Sequence, residues 1–186
     1  MRGYMKICMP KVMQHLPDGI PTGEGVVKST KMYADVLTLY ENPREDNPIV
    51  YEVYRYSEGE NVMGNLNWGL TCMKPILSNG ECNMTKGHFH ENRDCIEYYF
   101  CLKGEGLLLL MDEDGKTWAE KMVPGSLHYI SGHYAHRCVN TSDSQELWFG
   151  ACWPTSAGYD YESIEKREFG YRIKLIDGEI VCEERK

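Results

Sequence analysis

From Trp68 to Trp153 the chain reads as short strands between turns, and this spacing restricts the fold more than any other feature. Strand candidates are Gly69 to Lys74, His88 to His90, Ile96 to Leu102, Gly106 to Met111, Lys116 to Met122, Leu127 to Ile130, His136 to Asn140 and Glu146 to Cys152. Between them fall turn signals: Ser78-Asn79-Gly80, Lys103-Gly104, Asp112 to Gly115, Pro124-Gly125, Ser131-Gly132 and Thr141 to Ser144. Closely spaced strands of this kind build a sandwich or barrel. A jelly-roll barrel shelters its edges and leaves an interior that holds a ligand. Residues 1–30 are rich in Pro and Gly and predict an extended arm with short strands. Lys31 to Tyr40 fits a short helix or a strand, and Val50 to Tyr56 alternates as a strand does. Asp160 to Glu168 predicts a short helix. Tyr171 to Ile176 and Glu179 to Glu183 predict a closing hairpin around Asp177-Gly178. The expectation is one all-β domain over residues 1–186, with arm and strands in 1–60 and the barrel in 65–175.

A chain of 186 residues carries one substantial core. Its net charge of -8 argues against a surface for nucleic-acid phosphates. No apolar run reaches membrane-spanning length, and Met1 to Pro10 does not read as a signal peptide. The eight cysteines contain no Cys-x-x-Cys pair, so reduced thiols and a cytoplasmic location are expected.

His88 and His90 are separated by one residue, which on a strand places both imidazoles on one face. Glu97 follows, then Gly104, and later His136 and Asn140. Isolated His-x-His pairs are mostly surface or hydrogen-bonded histidines. Here three imidazoles and a carboxylate stand in order inside an all-β pattern, and they suit a divalent first-row transition metal. The order resembles the two cupin motifs in loosened form. A closed tetrahedral zinc would use all four ligands, whereas an octahedral ion keeps two positions for water or substrate oxygens; the second is expected. His128 is expected to pack in a strand and His133 to sit in a turn. Cys138 shares the parity of His136 but is not expected to ligate. Glu97 and Tyr99 share parity, so Tyr99 faces the metal side. Thr71, Thr85 and Gly87 can bind a phosphate through hydroxyls and an approachable amide, or serve turn and strand geometry alone. Lys86 reads as a solvated charge.

The segments Thr85-Lys86-Gly87-His88-Phe89-His90, Glu97-x-Tyr99, Leu102-Lys103-Gly104-x-Gly106, Pro124-Gly125, Ala135-His136-Arg137-x-Val139-Asn140 and Asp160-Tyr161-x-x-Ile164 together resemble the cupin-type glucose-6-phosphate isomerases. The resemblance spans roughly residues 65–175. It implies a single cupin jelly-roll barrel, a homodimer, and interconversion of glucose 6-phosphate and fructose 6-phosphate. It implies that His88, His90, Glu97 and His136 hold one divalent metal per chain, with iron expected ahead of manganese, nickel or zinc. It implies further that Thr71, Thr85, Gly87 and Tyr99 hold the phosphate. Two positions depart from the family pattern: Trp153-Pro154 replaces a Tyr-Pro pair, and Tyr159 replaces a histidine. Glu97 is the candidate base for proton transfer, and a metal-driven hydride shift is the other route. An iron-dependent cupin dioxygenase and a non-catalytic sugar-binding cupin are the rival readings. The first has no need of the threonine and glycine set, and the second has no need of four ligands.

Overall fold

Short apolar-rich runs between turns form the strands, with clear in-and-out alternation in Glu97–Lys103 and Leu127–Ile130, and the computed structural model pairs them all antiparallel. It describes residue 5 and residues 7–185; residues 1–4 and 6 of the expected arm, and residue 186, lie outside the described residues. In chain order the strands begin with β1 (Val12–Gln14), β2 (Pro21–Gly23), β3 (Val27–Met32), β4 (Ile49–Ser57), β5 (Leu66–Met73), β6 (Leu77–Ser78) and β7 (Glu81–Met84). They continue with β8 (Glu97–Lys103), β9 (Gly106–Met111), β10 (Thr117–Met122), β11 (Leu127–Ile130), β12 (Ala135–Asn140) and β13 (Leu147–Pro154). Helix α1 (Glu162–Lys166) precedes the hairpin of β14 (Tyr171–Ile176) and β15 (Glu179–Glu184). One large sheet runs β11-β8-β13-β5-β4-β3 and a second β10-β9-β12-β7-β14-β15, with β6 added beside β7, and β1 and β2 pair as a separate two-stranded sheet. This is the expected all-β jelly roll with a minor helix.

The core lies between the sheets. On β8, Glu97, Tyr99 and Cys101 are buried while Tyr98 and Phe100 are exposed, so the strand has one wet face. On β12 every residue from Ala135 to Asn140 is buried. Its inner face meets the barrel interior, and its outer face is covered where Phe169 lies against Arg137. Leu108 and Leu110 on β9 and Leu147 and Phe149 on β13 are almost fully buried. Each such side chain contributes roughly 1.5–3 kcal/mol of burial.

Three expectations are corrected. Lys31 to Tyr40 is neither one helix nor one strand: β3 ends at Met32, and two 3-10 turns follow at Tyr33–Asp35 and Leu37–Leu39. The Asp35 carboxylate accepts from the Met32 N–H at 2.9 Å and stops the strand there. His88 to His90 is not a regular strand. Gly87, at φ 76, turns the chain out of the line of β7, after which His88 bridges His136 and Phe89 bridges Asp160. Strand parity survives only locally, over the three residues that the two bridges hold. Strands β6 and β7 were not expected. Leu77–Ser78 and Glu81–Met84 lack a β-branched run, yet Asn79 (φ 50) and Gly80 (φ 87) make the primed turn that closes a tight hairpin.

Candidate active site

The four expected ligands come from three places. Glu97 opens β8, His136 lies on β12, and His88 and His90 lie on the bridged segment beyond β7. Backbone bonds fix this segment to β12: the His88 N–H donates to His136 O at 3.3 Å, and the His136 N–H to His88 O at 3.0 Å. One ligating atom from each of the four side chains falls within 4.8 Å of the others. His90 Nδ1 donates to Cys95 O at 3.0 Å, and His136 Nδ1 faces Tyr134 O at 3.4 Å. With Nδ1 carrying the hydrogen, each Nε2 presents a lone pair. Both lone pairs meet Glu97 Oε2 at 3.2 Å. Buried His88 Nε2 has no hydrogen-bond partner among the described residues, and His136 Nε2 lacks bonding geometry to its carboxylate neighbour.

Acceptors that face one another in a dry interior need a cation or a proton between them. This is the donor set that suits a first-row metal ion: imidazoles whose Nδ1 sides are held by carbonyls, and one carboxylate. The residues therefore fit the ion. Burial pushes the Glu97 carboxyl up, but the nearness of His136 and His90, each 3.2 Å from Oε2, outweighs it and holds the group below the usual range. Burial, helped by His136 and His90, holds His88 well below an ordinary histidine. Burial also lowers His90, yet the bond and charge of Glu97 leave it raised. Cys138 is outside the four-residue cluster, and burial keeps its thiol well above the ordinary value. His128 is buried on β11 between Ser126 Oγ (2.8 Å) and Glu120 Oε2 (2.7 Å), while exposed His133 pairs with Glu113.

The cluster borders a cavity of about 330 Å³, which Thr71, Thr85, Gly87 and Tyr99 also line. Thr85 is held twice by Cys138: its N–H donates to Cys138 O at 2.9 Å, and its Oγ1 accepts from the Cys138 N–H at 3.0 Å. The hydroxyl hydrogen of Thr85 is thus free to donate to a ligand. Tyr99 stands edge-on to His136 with ring centroids 5.7 Å apart, and burial raises its phenol well above the ordinary value, so it stays a neutral donor.

Some lining residues were not legible in the sequence. Lys31 and Arg55 come from β3 and β4, whose even spacing marks a face without saying what that face encloses. Lys86 is a solvated charge as expected, with Nζ 3.2 Å from exposed Glu165 Oε1 and 4.6 Å from the Tyr161 ring centre, and it also lies at the cavity wall. Trp153 and Tyr159, the two departures, both line the cavity, and Tyr159 lies 4.8 Å from His88 between ring centroids.

An all-β barrel with three imidazoles and a carboxylate converging beside its cavity defines a cupin-like fold with a candidate metal centre. The family model for glucose-6-phosphate isomerase (GPI) matches residues 26–186, and the chain belongs to that family. Glucose-6-phosphate isomerase of Thermococcus litoralis is 38% identical over 140 residues, covering 75% of this chain and 73% of the relative. Its counterpart in Pyrococcus furiosus is 35% identical over 164 residues, covering 84% and 86%. Among solved structures, an oxalate oxidase aligns at a TM-score of 0.45 and 14% identity over 75% of this chain and 56% of its own.

Replacing His88 or His136 with Ala removes a ligand that the barrel holds in place. Bound metal affinity is expected to fall about 100-fold or more, beyond the usual loss for an outer-shell partner. Elemental analysis of purified variants checks this, and full occupancy in both would contradict the ligand assignment.

Proposed function

We propose that this chain interconverts glucose 6-phosphate and fructose 6-phosphate with one divalent transition metal held by His88, His90, Glu97 and His136. Iron is the first candidate, ahead of manganese, nickel and zinc, since the nitrogen and oxygen donors accept all four. The observation that carries the reading is one cavity bordered both by His88, Glu97 and His136 and by Thr71, Thr85, Gly87 and Tyr99. Family membership supports it, because the relatives named above are glucose-6-phosphate isomerases.

The bound ion would supply Lewis-acid polarisation of the substrate carbonyl. The phosphate rests on the donors of Thr71, Thr85, Gly87 and Tyr99, which leaves C1 and C2 toward Glu97. That carboxylate has two distinct oxygens. Oε2 faces His90 and His136, whereas Oε1 makes no hydrogen bond among the described residues. Oε1 is therefore the atom to take a proton from C1 of fructose 6-phosphate and return it at C2. The O1 hydroxyl proton passes to O2 in the same conversion, so the step is redox-neutral overall. Tyr99 and Trp153 wall the site.

A homodimer belongs to the same reading. On the outer face of the first sheet Ile96, Tyr98, Phe100, Leu127 and Tyr129 are exposed together, with Tyr98 and Tyr129 in edge contact at 5.7 Å. A contiguous apolar face of this kind suits a second copy. Eight unpaired cysteines support a cytoplasmic location, which cell fractionation checks, and no described helix is long and apolar enough to cross a membrane.

The protein is expected to convert fructose 6-phosphate to glucose 6-phosphate without oxygen or a nucleotide cofactor. In deuterated water, label at C2 of glucose 6-phosphate is expected if Glu97 exchanges its proton with solvent; absence of label favours a hydride shift or a shielded base. Oxygen-dependent consumption without isomerisation would select the dioxygenase instead. For the dimer, light scattering is expected to give about twice the 21.5 kDa chain mass, and Tyr98→Glu to give the single chain. A wild-type mass of one chain at micromolar concentration contradicts the assembly.

A further inference from the structure

The inner wall of the anion cradle offers hydroxyls and an amide, while a fully buried cation stands directly behind it. Arg137 follows His136 on β12, so its side chain leaves on the opposite face, away from the cavity. It is 1% exposed. Its Nε and Nη2 donate to the Lys86 carbonyl at 3.2 and 2.7 Å. Its Nη1 donates to Glu168 Oε2 at 3.2 Å, and the guanidinium lies 4.7 Å from the centre of the Phe169 ring. Gly87 sits against this pair: a Cβ there would come 2.9 Å from Phe169 Cε2 and 3.1 Å from Arg137 Nε.

Two physical consequences follow from a guanidinium fork on that carbonyl. A trans peptide points its C=O and N–H in opposite directions. With Lys86 O drawn outward to Arg137, the Gly87 N–H is turned inward, to the cavity that Gly87 lines. That N–H has no hydrogen-bond partner among the described residues. Hydrogen bonds in a chain also polarise one another, so a cation on the carbonyl makes the N–H beyond it a stronger donor. Buried charge is weakly screened, and the field of Arg137 crosses the peptide toward the cavity.

We propose that Arg137 is a positioning residue for the anion cradle, holding the Lys86–Gly87 peptide so that its N–H points at the substrate phosphate and lending it positive charge from behind the barrel wall. This rests on the phosphate reading of Thr71, Thr85, Gly87 and Tyr99. The competing role is a tie that only fastens Glu168 and Phe169 to the barrel.

Zinc-loaded, nitrogen-15-labelled protein titrated with inorganic phosphate separates the two, with affinity and the Gly87 amide resonance as readouts. Arg137→Lys keeps the charge and loses the two-bond grip. Arg137→Gln combined with Glu168→Gln removes both charges of this pair; Arg185, 3.7 Å from Glu168 Oε2, keeps its bond to the Leu39 carbonyl. Phosphate affinity is expected to fall about 10-fold or more in the double variant, the scale of one hydrogen bond to a charged group, and less in Arg137→Lys. The downfield shift of Gly87 on adding phosphate is expected to shrink in the same order, with zinc content unchanged. Unchanged affinity and an unchanged Gly87 response in Arg137→Lys, whether or not the double variant folds, overturn the proposal. Thr85→Val distinguishes the levels. If it weakens phosphate while the Arg137 variants do not, only the role of Arg137 falls. If wild-type protein shows no phosphate response at Gly87 and Thr85→Val changes nothing, the phosphate reading falls and this proposal with it.

Discussion

Lone pairs on His88, His90 and His136 and the charge on Glu97 face one another inside a dry barrel, and much of the surrounding structure exists to keep them there. Such an arrangement is costly unless a cation joins its members. The barrel resists relaxation at each ligand. Cys95 and Tyr134 carbonyls orient two imidazoles, the His88–His136 bridge ties the segment beyond β7 to β12, and Glu97 is fixed by the start of β8. No single contact here is strong. Together they preorganise four donors so that little ordering is left for the ion to bring about.

The same short segment serves both halves of the site. Thr85, Gly87, His88 and His90 lie within a few residues, and Gly87 at φ 76 lets the chain change direction between them. Ahead of the turn, Cys138 secures Thr85; past it, His136 and Asp160 secure His88 and Phe89. Because β12 supplies His136 on one face and Arg137 on the other, one strand supports the metal ligands from inside and the cradle peptide from outside. Under the proposed function, neighbouring residues of a single strand would couple phosphate position to metal position.

Strand alternation was legible where a strand is wet on one side. Glu97, Tyr99 and Cys101 are buried and Tyr98 and Phe100 exposed, as parity requires. Legibility failed where both faces are covered or where a turn overrides local pattern. β12 is buried throughout, so sequence cannot show that Arg137 is a buried anchor rather than a surface charge. The irregular path of His88 to His90 depends on a glycine dihedral and on two distant partners, neither of which a His-x-His spacing encodes. The four-residue cluster was readable because chemistry restricts which residues can bind a metal. Lys31, Arg55 and Tyr161 were not, since their types are common on any surface and only the fold brings them to the cavity.

The central claim is that activity belongs to one ion per chain at the four-residue cluster. Titrating metal-stripped protein with iron(II) while following conversion of fructose 6-phosphate tests it most directly. Activity is predicted to rise from near zero and to level at one equivalent per chain, with manganese, nickel or zinc substituting to differing final rates. Full activity in protein shown by elemental analysis to carry no metal would contradict the account.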